Sequence, residues 1–537
     1  MVKNDNTAQR GMTIVVLIAM VLGVLIGLMF GRTFGLQEKT LTLQSKVGEV
    51  MSLVEDEYVD SLDADSLSER LIAVMLAELD PHSSYLSARE TERTDEMMRG
   101  SFEGVGLVIH HEGDSTYVGQ VLPDGPSARS GLLPGDLIVS IDGQRVCGVG
   151  LPSDSVVAML RGPRSTKVEL GILRQCTPTG AAEPRTFTIR RNTVPHHTVL
   201  HYTMLDDTTG YILLGSFAST SYDEFHDALY TLKQNGMRHL VFDLRGNGGG
   251  SLSAAVGIAG ELLPHGSLIV YTQGAHSRRR DVRARGNGLF SEGRVTVLVD
   301  ENSASASEVV SGALQDNDRA TIVGRRTFGK GLVQTDFALA DGSSVLLTTA
   351  RYYTPSGRCI QRPYDGGTGQ YYREYFNQLL EETYADSATV HIKDTTPYYT
   401  VGGRIVYGGG GIIPDRLLPV RKDSSFVYYN QLAGRGLINR VAFGYVRQHA
   451  ARLVDRYPDA PSFVRGFRVD NALVERLVAA GEAEGIGRNS ASLRVQRPLI
   501  EAMLKAYIGQ SLFGNQGFYD SYLPQDEDLK AVIKNKI

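Results

Sequence analysis

Residues 295–316, VTVLVDENSASASEVVSGALQD, read as a strand, a tight turn and a helix, with a serine at the turn. Ser305 and Glu308 have the spacing of a capping box, in which the serine caps the helix and the glutamate reaches back to its N–H. The same geometry suits a nucleophile. A hydroxyl at that turn lies beside helix N-terminal N–H groups that can stabilise an oxyanion, and small Ala304 and Ala306 leave room for a carbonyl. From this segment alone both readings stay open.

Two glycine-rich segments invite a nucleotide and then refuse it. In HLVFDLRGNGGGSLSAAVGIAG (239–260) a strand runs through a glycine turn into a helix. Gly246 and Gly248 begin a dinucleotide fingerprint, but Ser251 replaces its third glycine and no acid ends the next strand, LIVYT. What remains is a turn of backbone N–H groups at a helix N-terminus, suited to an anion. GRRTFGKG (324–331) matches a phosphate-binding loop. Gly331 replaces its Ser/Thr, however, and strand-like LVQTDFAL follows where a helix is needed.

These segments belong to a chain of 537 residues, which implies three to four domains at about 150 residues each. Hydrophobic residues at 42% and charged residues at 21% exclude wholesale disorder. Sixty acids against 55 bases leave a net charge of −5, unlike a nucleic-acid binder. Three scattered cysteines (Cys147, Cys176, Cys359) suit neither a disulfide framework nor a Cys-rich zinc site. We therefore expect no metal and no cofactor. Glycine, at 59 residues, is about 11% against a usual 7% or so, without the period of collagen.

Between Arg10 and Arg32 lie 21 uncharged residues, about 31 Å as a helix. The stretch exceeds a signal-peptide core and ends without a small-x-small site, so an uncleaved transmembrane anchor is expected over 12–31. Lys3 and Arg10 favour a cytoplasmic N-terminus, 1–11, and an exported body. Gly23, Gly27 and Gly31 could pack two anchors together or be ordinary membrane-helix glycines. Residues 36–98 show helical spacing, with Val47, Val50, Met51 and Val54 followed by Leu71, Val74, Met75 and Leu79. Short β runs fill 99–192, alternating strands and helices fill 193–420 as an α/β core, and 421–537 reads as helices without visible chemistry.

Taken together, the segments resemble the carboxy-terminal processing proteases, a serine peptidase family (S41). The residues that carry this are LDPHSSYL (79–86), FEGVG (102–106), GLLPGD (131–136), DLRGNGGG (243–250), SASASE (303–308) and QD (315–316). TFGKGLVQ (327–334), RYYTPSGRCIQ (351–361) and GGGGIIPD (408–415) follow in family order, covering roughly residues 80–420. The resemblance implies a PDZ-like β domain, an α/β protease core of crotonase/ClpP-like type and, with the anchor, helical lead-in and helical tail, a membrane-anchored multidomain α/β and β protein.

The resemblance also implies a site. The nucleophile is the middle serine of S-A-S-A-S, Ser305, and the base is the lysine of F-G-K-G, Lys330, with Gln334 four residues on. In an extended strand Lys330 and Gln334 share a face. The oxyanion donors are the N–H of Ala306 and one from Gly249 or Gly250. An ordinary lysine titrates near 10.4, so burial must lower it by about three pH units, a differential of about 4 kcal/mol. Phe328, Leu332 and Val333 supply apolar company for that. A histidine base is the rival, but none of the 12 histidines sits in a recognisable signature; His110-His111 and His196-His197 fall outside the matching segments. Asp316 lies about 16 Å along a continuous helix from Ser305 and is read as structural. Asn302 and Arg325 depart from the family pattern, leaving substrate preference open.

The loop Gly104-Val105-Gly106-Leu107 is the expected cradle for a peptide C-terminus, added as an extra strand. Arg161 is read as a surface arginine, with a link from ligand to active site as the alternative. The arginines from Arg278 to Arg285 are read as a solvated hairpin tip. The expected function is a serine endopeptidase that recognises protein C-termini and cleaves near them with a Ser-Lys dyad; an inactive PDZ scaffold of the cell envelope is the alternative. Expected partners are protein or peptide substrates and the membrane, with homo-oligomerisation through 36–98 and no nucleic acid. The expected location is the bacterial inner membrane, with the catalytic body on the periplasmic side.

Overall fold

The computed structural model describes residues 43–175, 182–383, 392, 394–419 and 426–535. The chain divides into two compact units, residues 1–73 and residues 74–537. In the first, α1 (Leu43–Glu57) exposes Val47, Val50 and Leu53, spaced by helical turns. Helix α2 (Ala64–Ala77) follows and runs into the second unit.

The second unit opens with LDPHSSYL. Its β1 (Ser84–Leu86) pairs with a strand of the core, so this lead-in is part of a sheet. Helix α3 (Ala88–Arg99) is capped at both ends: Ser87 and Glu90 form a capping box, and Gly100 closes it in a left-handed conformation. The β domain comprises β2 (Ser101–Gly104), β3 (Leu107–Glu112), β4 (Ser115–Val121), β5 (Leu137–Ile141), β6 (Gln144–Arg145), α4 (Ser153–Leu160), β7 (Lys167–Arg174), β8 (Glu183–Arg190) and β9 (Asn192–Pro195). Its sheet runs β3-β4-β5-β7-β8, with β6 on β5, while β2 pairs with β9. Alternate residues Val168, Leu170 and Ile172 of β7 point into a core shared with Val156 and Leu160 of α4.

The α/β core follows: β10 (Val199–Met204), β11 (Thr209–Leu214), α5 (Ser221–Gln234), β12 (His239–Asp243), α6 (Leu252–Leu262), β13 (Leu268–Gly274), β14 (Ser277–Arg283), β15 (Arg294–Val299), α7 (Ala306–Asp316), β16 (Thr321–Gly324), β17 (Leu332–Ala338), β18 (Ser344–Tyr353), α8 (Gly367–Thr383), β19 (Tyr398–Tyr399), β20 (Ile405–Val406) and β21 (Arg416–Leu417). The central sheet runs β10-β11-β12-β15-β16-β21, parallel from β11 onward. A second sheet joins β1-β18-β13-β14, with β17 on β18.

Parallel sheets are buried on both faces. On one face Ile212, Phe242 and Val297 meet α5, α6 and α7. On the other, Tyr211, Leu213, Val241, Leu298 and Val323 meet the end of the chain. The C-terminal region comprises α9 (Phe426–Gly434), α10 (Leu437–Arg456), α11 (Ala460–Gly466), α12 (Asn471–Ala483), α13 (Ser490–Tyr522) and α14 (Glu527–Asn535). Helices α9–α13 share their own core around Leu432, Val446, Phe463, Leu477 and Leu504. They also pack on the β domain, where Phe443 stacks on His110 at 4.2 Å and Arg447 lies 4.9 Å over Tyr117.

The expected fold class is corrected on one point, its transmembrane helix. Among the described residues no helix is long and apolar enough to cross a membrane. The longest, α13, is broken by a non-helical Gly514 and carries Arg494, Arg497, Glu501 and Lys505 before that break. Residues 12–31, where the span was expected, lie outside the described residues, as does the preceding segment 1–11.

Candidate active site

Ser305 sits between β15 and α7 in a conformation that side chains rarely adopt, φ 55° and ψ −112°. Such backbone costs of the order of 1–3 kcal/mol and persists only where surroundings over-determine it. Here they do. The Ser305 N–H donates to Glu308 Oε2 at 2.8 Å, and the Lys330 N–H donates to the same oxygen at 2.9 Å. The other oxygen accepts from Thr327 Oγ1 at 2.6 Å and the Gly329 N–H at 2.8 Å. The carbonyls are tied as well: the Tyr352 hydroxyl is shared between the Ser305 carbonyl at 3.1 Å and that of Lys330. One glutamate and one tyrosine therefore hold both residues, 25 positions apart.

Glu308 is fully buried, and burial pushes its carboxyl up to about 7 against the pull of its donors. All four partners donate to it, which favours the ionised form. Sequence reading took Glu308 only as half of a capping box. The capping box is present, and the same side chain also anchors the lysine loop.

Lys330 lies just ahead of β17, and its Nζ donates to Gln334 Oε1 at 2.7 Å. A bulge at Val333/Gln334 interrupts the pairing of β17 with β18, so the two side chains meet across an irregular segment rather than a regular strand. Gln334 Nε2 in turn donates to the His82 carbonyl. Burial lowers the Lys330 pKa below its ordinary value, opposed by the charges of Glu308 and Asp80. The His82 imidazole, hydrogen-bonded to the Tyr371 hydroxyl at 3.2 Å, is lowered to about 4 by burial and then by the Lys330 charge. It is neutral across the neutral range. His82 belongs to LDPHSSYL, a motif quoted for its resemblance without a role in the site.

The glycine turn lies against the serine. A Cβ on Gly249 would stand 2.8 Å from the Ser305 Cβ, and φ there is +102°. The Gly249 N–H donates to Asn247 Oδ1 at 2.9 Å. Phe217 bonds the residues on either side of Gly250, through the Gly249 carbonyl and the Ser251 N–H, which directs the Gly250 N–H to the opposite side. Ala306, first residue of α7, has an N–H without an intrahelical acceptor. Between α6 and the β13–β14 hairpin a cleft of about 710 Å³ opens, lined by Leu252, Val256, Thr272, Val333 and the hairpin arginines Arg280 and Arg283. Asp316 is structural: fully buried, it pairs with Arg358 at 2.7 Å.

The cradle residues Gly104–Leu107 lie away from these groups, in the β domain. Val105 is buried, its carbonyl accepting from Ser127 Oγ at 2.6 Å, and Gly106 (φ +73°) packs on Gly125 so closely that a Cβ would meet its Cα at 2.7 Å. Leu107 starts β3, the edge strand of its sheet. Arg161 is partly exposed, pairs with Glu96 of α3 at 2.6 Å and lies over Phe102. Among the described residues no group of three or more His, Cys, Asp or Glu could hold a metal ion.

Residues 208–367 match the profile of peptidase family S41, residues 117–174 that of the PDZ domain, and residues 428–514 a family of unknown function. The chain is 35% identical over 332 residues to the carboxy-terminal-processing protease of Bartonella bacilliformis, covering 60% of this chain and 74% of that one. It is 37% identical over 299 residues to the carboxyl-terminal-processing protease of Synechocystis, covering 54% and 68%. Among solved structures, the photosystem II D1 C-terminal processing protease is 32% identical over 59% of this chain and 83% of that one, with a TM-score of 0.34.

Proposed function

The chain belongs to peptidase family S41, the carboxy-terminal processing serine proteases, and from that premise we propose that Ser305 and Lys330 are its catalytic pair. The observation that carries the reading is the double tie between them, through one oxygen of Glu308 and through the Tyr352 hydroxyl. Lys330, as neutral amine, takes the proton from Ser305 Oγ as that oxygen attacks the scissile carbonyl. The resulting ammonium returns the proton to the leaving amine, releasing the first product and leaving an acyl-serine. Lys330, neutral again, then deprotonates the water that attacks the acyl group, and its ammonium returns that proton to Ser305 Oγ as the acid is freed. Gln334 orients the amine through Oε1 and is itself oriented by the His82 carbonyl.

The oxyanion is held by the N–H groups of Ala306 and Gly250. Gly250 is the better donor of the glycine pair because the Gly249 N–H is already used by Asn247. Substrate chain enters by the cleft between α6 and the β13–β14 hairpin, which is lined by Leu252, two residues beyond Gly250, and by Val333, three residues after Lys330. The PDZ domain selects protein C-termini. The edge of β3 accepts the terminal residues as an added strand, and the loop Gly104–Leu107 receives the carboxylate.

Incubation of the full chain with an unfolded protein bearing an apolar C-terminus tests this. Ser305→Ala and Lys330→Ala should each lower kcat by ~10⁴-fold or more, as loss of a nucleophile or its base does. Cleavage by either variant at the wild-type rate would reject the pair.

A further inference from the structure

We propose that the C-terminal segment Leu523–Asn535 is a clamp on the oxyanion turn, with Asp526 and Asp528 as positioning residues acting through Arg245 and Arg325. Its catalytic consequence rests on the reading of Ser305 and Gly250 given above.

The segment forms the outer layer of the core. Leu523, Leu529 and Val532 are buried on the central-sheet face made by Tyr211, Leu213, Val241, Leu298 and Val323. That burial brings two carboxylates to the C-terminal end of the parallel strands. Asp526, itself 4% exposed, accepts from Arg245 Nη2 at 2.7 Å and Nη1 at 3.3 Å. Asp528 accepts from Arg245 Nη1 at 3.3 Å and lies 3.5 Å from Arg325 Nη1. The rest of the Arg245 guanidinium is held by Asp243, which also accepts from the Tyr211 hydroxyl at 2.8 Å.

Three loops meet in this network. Arg245 begins the glycine turn, and the next residue, Gly246, donates its N–H to Asp300 Oδ1 at 2.9 Å. Asp300 heads the Ser305 turn, accepting also from the N–H groups of Asn302 and Ser303. Arg325 heads the lysine loop and pairs with Glu301 at 2.6 Å. Asp528 thus spans the start of the glycine turn and the start of the lysine loop. Here Arg325 meets an acid from this chain's own C-terminal segment. Without the charges of Asp526 and Asp528 the Arg245 guanidinium keeps Asp243 alone of its three carboxylates, and Nη1 loses both of its charged partners. Arg245 begins the turn that ends in Gly250, so loosening its side chain loosens the start of the turn that carries the oxyanion donor.

The test uses the full chain with the double substitution Asp526→Asn/Asp528→Asn, and Asp528→Glu alone. Asparagine keeps the bond from the Leu529 N–H that Asp526 makes as helix cap, so the charge is removed and the cap retained. Lys530→Ala, on the exposed side of α14, is the control. Hydrogen exchange of residues 244–251 should quicken in the double variant, with the β domain unchanged and Asp528→Glu close to wild type. With the same unfolded substrate, kcat should fall ~10- to 100-fold while KM holds, the signature of a displaced transition-state contact.

Unchanged exchange at 244–251 in the double variant overturns the clamp, whatever the enzyme cleaves. So does faster exchange spread over the whole central sheet, which marks general destabilisation instead. Loss of the Ser305 reading would appear separately, as wild-type cleavage by Ser305→Ala with the exchange result intact.

Discussion

Around Ser305 the backbone is strained and its polar groups are tied to buried side chains, whereas the loop Gly104–Leu107 leads into a strand with one edge open. In the function proposed above, the two regions handle different stages of one task. At the serine, geometry must be set before substrate arrives, since reorganisation during the reaction would raise the barrier. A fully buried carboxylate with four donors is an effective way to set it, because no single bond can be exchanged for water at equal energy. At the β3 edge the useful property is the reverse. An edge strand leaves backbone groups unpaired, and Gly106 lies so close to Gly125 that a Cβ on it would clash.

The largest expected effect comes from breaking the pre-set side. Glu308→Gln places an amide NH₂ where two donors already point, and kcat should fall ~100-fold or more with KM little changed. The pH profile sharpens the point. The Lys330 pKa is lowered by burial, so kcat should rise with pH to a midpoint below 10.5, as the amine loses its proton. The Glu308 charge opposes that lowering, so Glu308→Gln should move the midpoint to still lower pH. A midpoint that stays or climbs in this variant would show that Glu308 does not act on the lysine through its charge. The stability linkage runs the same way. With its pKa lowered in the folded state, Lys330 contributes stability above 10.5 that is lost as pH falls through the folded value.

A smaller and different effect is expected at the open side. Gly106→Val puts a side chain on a left-handed residue against Gly125 and should raise KM ~10-fold for substrates recognised by their C-terminus. Short peptides with an amidated end should be cut as before. Equal impairment for both substrates would break the separation of the two regions. The smallest effect belongs to Arg161, whose pair with Glu96 is partly open to water. Arg161→Ala should lower the unfolding free energy by less than about 1 kcal/mol in a denaturant titration. A loss several times larger would mean that α3 and the β domain are coupled more tightly than an exposed pair allows.

Much of the candidate site was legible because its parts are local. The strand, turn and capping box of 295–316 are written in hydrophobic runs and small polar residues, and the structure has them there. Lys330 and Gln334 are four residues apart and make their bond despite the bulge between them. Glu308 was visible only in its local part. Its bonds to Thr327, Gly329 and Lys330 join segments some twenty residues away, which periodicity does not register. Tyr352 and the His82 carbonyl were hidden for the same reason: each contributes a contact made across a sheet. The C-terminal helices were read as lacking chemistry, and their own sequence gives no hint of it. Asp526 and Asp528 look like ordinary helix N-terminal acids until α14 covers the central sheet.

The sequence by itself determined the order of domains, the serine at a helix start, the lysine in a glycine loop and the glycine turn, since each depends on neighbours within a few residues. The tertiary structure alone decided what holds them together. A buried charge must find its partners wherever the fold brings them: the donors to Glu308 lie up to 22 residues away, and two of the carboxylates that accept from Arg245 lie 281 and 283 residues away. Sequence spacing cannot specify such meetings, because they arise only when both faces of the parallel sheet are buried.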